Sequence, residues 1–173
     1  MATRRSTRPA GQALPDIVLR PHRPGDIGWV ISRHGQLYAE EFGWDDSFEA
    51  LVARIGADFI DQFQPGLERA WIAERDGKRV GAVFIVRKSK FVAKLRMLLI
   101  EPDARGIGLG KRLVEESITF SRAAGYRKIT LWTHDILVAA RGIYQRAGFT
   151  LVSSAPNHAF GVDLRTEVWE LRL

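Results

Sequence analysis

The chain contains no cysteine. That excludes a disulfide framework, a thiolate metal site and a covalent cysteine mechanism. No apolar run approaches the roughly 20 residues that a membrane-spanning helix needs, so no membrane partner is expected. The N-terminus carries Arg4, Arg5 and Arg8 but lacks the apolar core of a secretory leader. The cytoplasm is therefore the expected location. The four histidines, at 22, 34, 134 and 158, show no metal-ligand spacing, and no metal is expected. Acids are missing from residues 1–13, so three of the six net positive charges belong to that stretch. It is expected to be a solvated, disordered tail. There is no basic stripe with interleaved aromatics, which argues against a nucleic-acid partner. What remains, residues 14–173, is one domain. With 46% hydrophobic residues in a chain of 173, it can bury a real core. No internal repeat or second boundary interrupts it.

The most informative stretch is Arg105-Gly106-Ile107-Gly108-Leu109-Gly110-Lys111. An apolar run, residues 95–100, precedes it and reads as a buried strand. Leu109, Leu113, Val114, Ile118 and Ser121 follow at the spacing of one helix face. A strand thus runs into a glycine-rich turn that opens a helix. The first N–H groups of a helix lack internal partners and carry partial positive charge, which suits phosphate. Arg105 and Lys111 add full charges. A nucleotide-hydrolase phosphate loop needs four residues between its first glycine and Gly-Lys, then Ser or Thr. Here three residues separate Gly106 from Gly110, and Arg112 follows Lys111, so that reading fails. A dinucleotide fingerprint needs G-x-G-x-x-G and an acid at the end of the next strand. The glycines are spaced G-x-G-x-G, although Asp135 stands where the acid belongs. The third candidate pattern is R/Q-x-x-G-x-G/A, which Arg105, Gly108 and Gly110 satisfy.

The second half of the chain bears on this choice. Pro102 precedes the glycine loop. Residues 129–133 read as a strand. Ala140, Ile143, Tyr144 and Ala147 fall at i, i+3, i+4 and i+7 of a helix, and Gly148 is placed as its left-handed cap before Phe149. Residues 140–149 resemble the A-x-x-L-Y-x-x-x-G-F ending of the GNAT superfamily of N-acetyltransferases, and the glycine loop resembles that superfamily's cofactor signature. The resemblance covers about residues 17–173, with its specific motifs in 95–149. The chain departs from it at Leu137, where many members carry an Asn against the pantetheine arm.

The remaining elements fit the same order. Residues 17–20 read as a strand and 27–34 as a helix opened by Pro24-Gly25-Asp26. Residues 48–63 read as a second helix, with Phe48, Leu51, Val52, Ile55 and Phe59 on one face. Residues 70–74 and 80–87 flank Asp76-Gly77-Lys78, a hairpin signal. A long central strand covers 91–100, and late strands cover 150–154 and 167–173. The order β-α-α-β-β-β-α-β-α-β-β is that of the resembled family. It implies an α/β fold, in detail α+β: a single domain with a mixed sheet of six to seven strands. Helices cover both faces, and the sheet is splayed at the fourth and fifth strands.

The resemblance implies a function and a set of residues. Acetyl-CoA is the expected cosubstrate, and an amine of a small molecule, amino acid or peptide the acceptor. Gly106, Ile107, Gly108, Leu109 and Gly110 would cradle the pyrophosphate, with Arg105 and Lys111 beside it. The backbone of Leu98, Leu99 and Ile100 would pair with the pantetheine arm and offer an N–H to the thioester oxygen. Tyr144 would touch the cofactor and protonate the leaving thiolate, since its ordinary pKa near 10 keeps it protonated. His134 ends the strand beside the cofactor strand and has a pKa suited to a general base; Glu41 and Glu101 are further candidates. Asp135 reads as the N-cap of the following helix. Residues 34–44 fall where the family's loop between its first two helices covers the acceptor. Tyr38, Glu41, Phe42 and Trp44 are the expected acceptor contacts, and their acids suit a cationic amine. Residues 34–44 and 157–161 also resemble the acetyltransferase half of bacterial fusions to winged-helix regulators, although 16 residues before the first strand are too few for such a regulator. The competing reading is a catalytically weak acyl-CoA-binding module that senses the cofactor for a protein partner. A homodimer is compatible with either.

Overall fold

The computed structural model describes residues 16–173, so the expectation of a disordered tail over residues 1–13 lies outside the described residues. Seven strands form one sheet: β1 (Ile17–Pro21), β2 (Arg69–Arg75), β3 (Lys78–Arg87), β4 (Val92–Ile100), β5 (Lys128–His134), β6 (Thr150–Ala159) and β7 (Val162–Arg172). Their spatial order is β1-β2-β3-β4-β5-β7-β6, and only the central β4–β5 pair is parallel. Four helices flank the sheet: α1 (Asp26–Phe42), α2 (Asp46–Asp61), α3 (Leu109–Ala123) and α4 (Val138–Arg146).

Period-two alternation divides the core between the two faces. On β2, Trp71 and Ala73 pack with Leu109, Leu113 and Val114 of α3. Their neighbours Ala70 and Ile72 turn the other way and pack with Ile27 and Val30 of α1 and Phe59 of α2. Substituting a charge at Ile72, which is fully buried, would break this second layer. The β2–β3 hairpin turns on Asp76 and Gly77, at φ 52° and 73°, as the Asp-Gly signal predicts. Asp45 caps α2 by accepting the Ser47 N–H at 3.0 Å. Asp26, in the first turn of α1, is buried and bound by Arg20 at 2.6 Å, Arg79 at 3.3 Å and the Arg23 N–H at 2.7 Å.

Three expectations need correction. First, α1 runs to Phe42 rather than ending near His34, because Leu37 and Tyr38 continue its apolar face and Gly43 at φ 70° supplies the first stop. Only residues 43–45 form the connection, so Tyr38, Glu41 and Phe42 are helical. Second, β6 and β7 are longer than expected, at ten and eleven residues. β6 is exposed almost throughout and therefore shows no alternation, whereas the outer part of β7 buries Leu164 against Trp44, Phe48 and Val52. Pro156 is tolerated because β6 is the sheet edge. Third, Asp135 does not cap α4; Leu137 holds that position, and Asp135 Oδ1 accepts the Arg165 N–H at 3.0 Å, fastening the end of β5 to β7.

Candidate active site

The site begins with a defect in β4. Its pairing with β3 is regular from Ala93 to Arg96, which stands opposite Phe84. It then resumes at Leu99 opposite Ala82, so Met97 and Leu98 together face one residue, Val83. This is a β-bulge, and Met97 adopts φ 56° to make it. The extra residue bends β4 away from β5. The two strands pair only at Val92–Lys128, Ala93–Ile129 and Lys94–Thr130, and then part. From Leu95 onward the β5-facing edge of β4 has no strand partner.

A cleft of about 470 Å³ opens there, walled by the second half of β4, the end of α1, the glycine loop and the start of α4. The loop leaves β4 through a single 3-10 turn at Pro102–Ala104 and enters α3. Gly106 and Gly108 stand at φ 76° and 88°, in the left-handed region. Gly108 is the N-cap of α3, no side chain caps the helix, and its first turn holds no acid. The first helical bond is Arg112 N–H to Gly108 C=O at 3.0 Å. The N–H groups of Leu109, Gly110 and Lys111 therefore face the cleft without backbone acceptors. A Cβ built on Gly106 or Gly108 meets nothing within 4 Å, so the space before the loop is open. Gly110 serves packing instead: a Cβ there would lie 2.6 Å from Ile143 Cδ1 of α4. Arg105 is held in place, its Nε donating to Ile100 C=O at 3.2 Å and its Nη2 to Glu41 at 2.7 Å. Arg105, Lys111 and Arg146 supply positive charge around the loop. Unpaired helix N–H groups, open space and three cations fit a pyrophosphate, and the unpaired edge of β4 fits an extended amide chain such as pantetheine.

Of the expected cofactor residues, Leu98, Leu99, Ile100, Arg105, Gly106, Gly108, Leu109, Gly110 and Lys111 all line this cleft. Ile107 does not; it is 42% exposed and directed to solvent. Tyr144 does not line it either, and belongs to a second cavity on the other side of Leu98. This smaller cavity, about 150 Å³, lies between α2 and the splayed ends of β4 and β5. Tyr38, Leu98, Leu137 and Ala140 line both spaces, so the two join there.

The smaller cavity holds the titratable groups. Burial, and then the neighbouring Tyr38, push the Tyr144 phenol above its usual range, so it stays protonated at every physiological pH. Its hydroxyl hydrogen-bonds to no described residue. Burial, and then Glu41, push the Tyr38 phenol up to about 12 against the opposing pull of Arg105. His134 is half-buried, and desolvation lowers its pKa below 6.5 despite Asp135 and Glu167. Its imidazole is consequently neutral at neutral pH. The Trp44 and Phe160 rings meet it edge-on at 5.3 and 5.8 Å.

Trp44 is buried and forms the wall by stacking on Phe160 at 4.7 Å. Phe160, at φ 57°, lies in the two-residue turn between β6 and β7, and its carbonyl accepts the Asp45 N–H at 3.0 Å. Two expected acceptor contacts fall elsewhere. Glu41 and Phe42 line the larger cleft, with Glu41 committed to Arg105. Glu101, a candidate base, is gripped by Arg33 at 2.6 and 2.8 Å. The anticipated acidic acceptor wall therefore does not form. His34, at the start of the expected acceptor segment, lines the smaller cavity; sequence reasoning missed Lys94, Arg96 and Trp132, which line it too. His34 is buried, its Nδ1–H donating to Val30 C=O at 2.8 Å, and burial pushes it down to about 4. The signal for Lys94 and Arg96 was present: two cations at period two in an otherwise apolar strand. Among the described residues no cluster could hold a metal ion, and no helix is long and apolar enough to cross a membrane.

The sequence profile of the Acetyltransferase (GNAT) family matches residues 32–149, which span the bulge, the glycine loop and α4. The chain belongs to the GNAT acetyltransferase family. Human N-acetyltransferase 8B is 32% identical over 105 residues, 56% of this chain and 45% of that protein. The mycothiol acetyltransferase of Beutenbergia cavernae is 27% identical over 168 residues, 86% of this chain and 54% of that protein. The chain thus spans about half the length of these two curated relatives. The structure of yncA from Salmonella typhimurium, solved with its cofactor acetyl-CoA, superposes with a TM-score of 0.71 over 91% of this chain and 94% of that one. At 17% identity this likeness concerns the fold. Family membership makes acetyl-CoA the cosubstrate to fit, and the glycine loop and β4 edge are the GNAT features that fit it.

Proposed function

We propose that this GNAT protein is an acetyl-CoA-dependent N-acetyltransferase that moves an acetyl group to a primary amine by direct attack. The observation that carries this reading is the junction of the two cavities. A phosphate-binding cleft ends at Leu98, where a small cavity holding an unengaged phenol and a neutral imidazole begins. Bound acetyl-CoA supplies an activated acetyl thioester. The α3 N–H groups, Arg105, Lys111 and Arg146 hold its pyrophosphate. The Glu101 N–H donates to Val80 C=O at 2.8 Å. Strand alternation then turns the Ile100 amide the other way, into the cleft, where it binds the pantetheine arm. The N–H group at the bulge, at Leu98, is the reading's donor to the acetyl carbonyl oxygen, which gains charge during attack. His134 takes the proton of the acceptor amine, directly or through water. Tyr144 keeps its proton until the sulfur departs and then gives it up.

Incubation with acetyl-CoA and a panel of amines tests the reading by release of free thiol. Amine-dependent release, with N-acetylated product in equal amount, is expected. Binding of acetyl-CoA without transfer to any amine would replace it with a cofactor-sensing module.

A further inference from the structure

The floor of the smaller cavity carries an unmatched pair of cations. Lys94 and Arg96 lie two residues apart on β4 and therefore share a face of the sheet. The strands part just after Lys94–Thr130, which uncovers both side chains beside Trp132 and His134 of β5. The Lys94 ammonium lies 3.9 Å from the centre of the Trp132 ring. Neither cation is in an ion pair or a side-chain hydrogen bond among the described residues. Asp58, exposed on α2, is close enough to act on Arg96 through its field but does not pair with it. No carboxylate lines the cavity. Three other partly buried arginines are ion-paired, Arg20 with Asp26 and Glu74, Arg33 with Glu101 and Arg141 with Glu167, whereas Arg69 lies over the Trp71 ring without a carboxylate. Burial, and then the positive charges of Arg96 and Lys88, push Lys94 down to about 8. A desolvated pair of like charges is costly without an anion to face it.

We infer that the acceptor is a small amine that also carries a carboxylate, seated on Lys94 and Arg96 with its nitrogen toward Leu98. The inference rests on the transferase reading and names the acceptor class. The carboxylate supplies the missing countercharge, and an arginine fork can bind it through two parallel N–H bonds. The cavity of about 150 Å³ matches a free amino acid in scale. A peptide N-terminus lacks a carboxylate next to its amine, and a polyamine would bring further positive charge to the floor. The same two cations disfavour an ammonium nearby, so they lower the acceptor's own pKa and enlarge its nucleophilic, neutral fraction. Carboxylate and amine are thereby told apart by one field.

Matched acceptors test this. Phenylalanine, phenylalaninamide and phenethylamine share a ring and an amine and differ at the carboxylate; other amino acids are compared in the same triplets. With acetyl-CoA saturating, kcat/KM by thiol release should favour the acids by about 10- to 100-fold, the range expected for hydrogen bonds to a charged group. Arg96→Gln and Lys94→Gln should each raise KM for the acid and shrink the acid-to-amide ratio toward one. Stabilisation by acetyl-CoA in thermal melts verifies that each variant is folded. Preference for amides, polyamines or peptides, or an unchanged ratio in both folded variants, overturns the inference. A binding experiment separates it from the transferase reading. The wild-type protein loaded with coenzyme A is titrated with N-acetylphenylalanine and its amide. Selective binding of the acid, abolished by Arg96→Gln, supports the anion site even where no amine is acetylated. Equal binding of the two, or binding of neither, refutes it.

Discussion

Replacing Gly108 with alanine separates two roles that one glycine combines. The residue caps α3 at φ 88°, where an L side chain is strained by roughly 1–2 kcal/mol. A new methyl group meets no atom of the protein within 4 Å, so packing adds nothing to this loss. For a chain of this size the strain lowers the melting temperature by roughly 2–8 °C. The methyl group does, however, project toward the space the pyrophosphate would fill. Ligand at about 100 times its dissociation constant stabilises a folded protein by ~2.7 kcal/mol, or roughly 5–11 °C here. Gly108→Ala should lose most of that ligand-induced rise. Gly125→Ala is the matched control. Gly125 has φ 85° and equal room for a Cβ, but it follows the far end of α3. It should show the same intrinsic loss and keep the full rise. The assay is thermal melting of the three proteins with and without coenzyme A. Equal ligand-induced shifts in all three would refute the assignment of the loop.

Tyr144→Phe preserves the buried ring but removes the proton, so turnover at saturating acetyl-CoA should fall by about 10²–10⁴-fold while the melting temperature holds; near-normal turnover removes Tyr144 from the chemistry. His134 must be neutral to accept a proton, and burial lowers its pKa. With both substrates saturating, kcat should therefore fall as the pH drops below 6.5, and His134→Gln should abolish that limb. His34 governs stability instead. Its folded pKa of about 4 lies below the unfolded value of 6.5, so the unfolded chain binds the extra proton. The contribution is intact above pH 6.5 and drains away between pH 6.5 and 4, by up to about 3 kcal/mol, as denaturant titrations at several pH values should register. Asp26→Ala leaves the Arg23 N–H unpartnered, Arg79 with only the Gly25 C=O, and Arg20 with Glu74 as its only carboxylate; breaking such a buried network costs roughly 3–5 kcal/mol, seen as a melting point about 6–20 °C lower.

Where periodicity or turn chemistry was strong, the fold was legible. Asp76-Gly77 announced its hairpin, Gly148 its left-handed cap at φ 96°, and the Leu109–Ser121 stripe its helix. The glycine loop was legible for the same reason, since strand, turn and helix each leave a local mark. The acceptor side was not. Met97 forms the bulge with an ordinary apolar side chain, and only its backbone at φ 56° distinguishes it. Glu41 looked like a substrate contact because its partner, Arg105, stands 64 residues away in sequence. Lys94 and Arg96 were overlooked because a strand flanked on both sides is expected to be apolar throughout; the parting of β4 from β5 is what gives their charges somewhere to point. Trp44 and Phe160 meet only because the β6–β7 turn folds back onto the α1–α2 connection, a contact that no local pattern encodes.

Direct transfer between two cavities that meet at Leu98 is tested by a single turnover. The protein, in excess over acetyl-CoA carrying an isotopically labelled acetyl group, is mixed with an amino acid acceptor and quenched at intervals. Intact-protein and small-molecule masses are then read together. The account predicts that label passes to the acceptor nitrogen in step with free coenzyme A, with no labelled protein at any time. Label accumulating on the protein before product, or acetyl-CoA held unreacted with every amine, would contradict it.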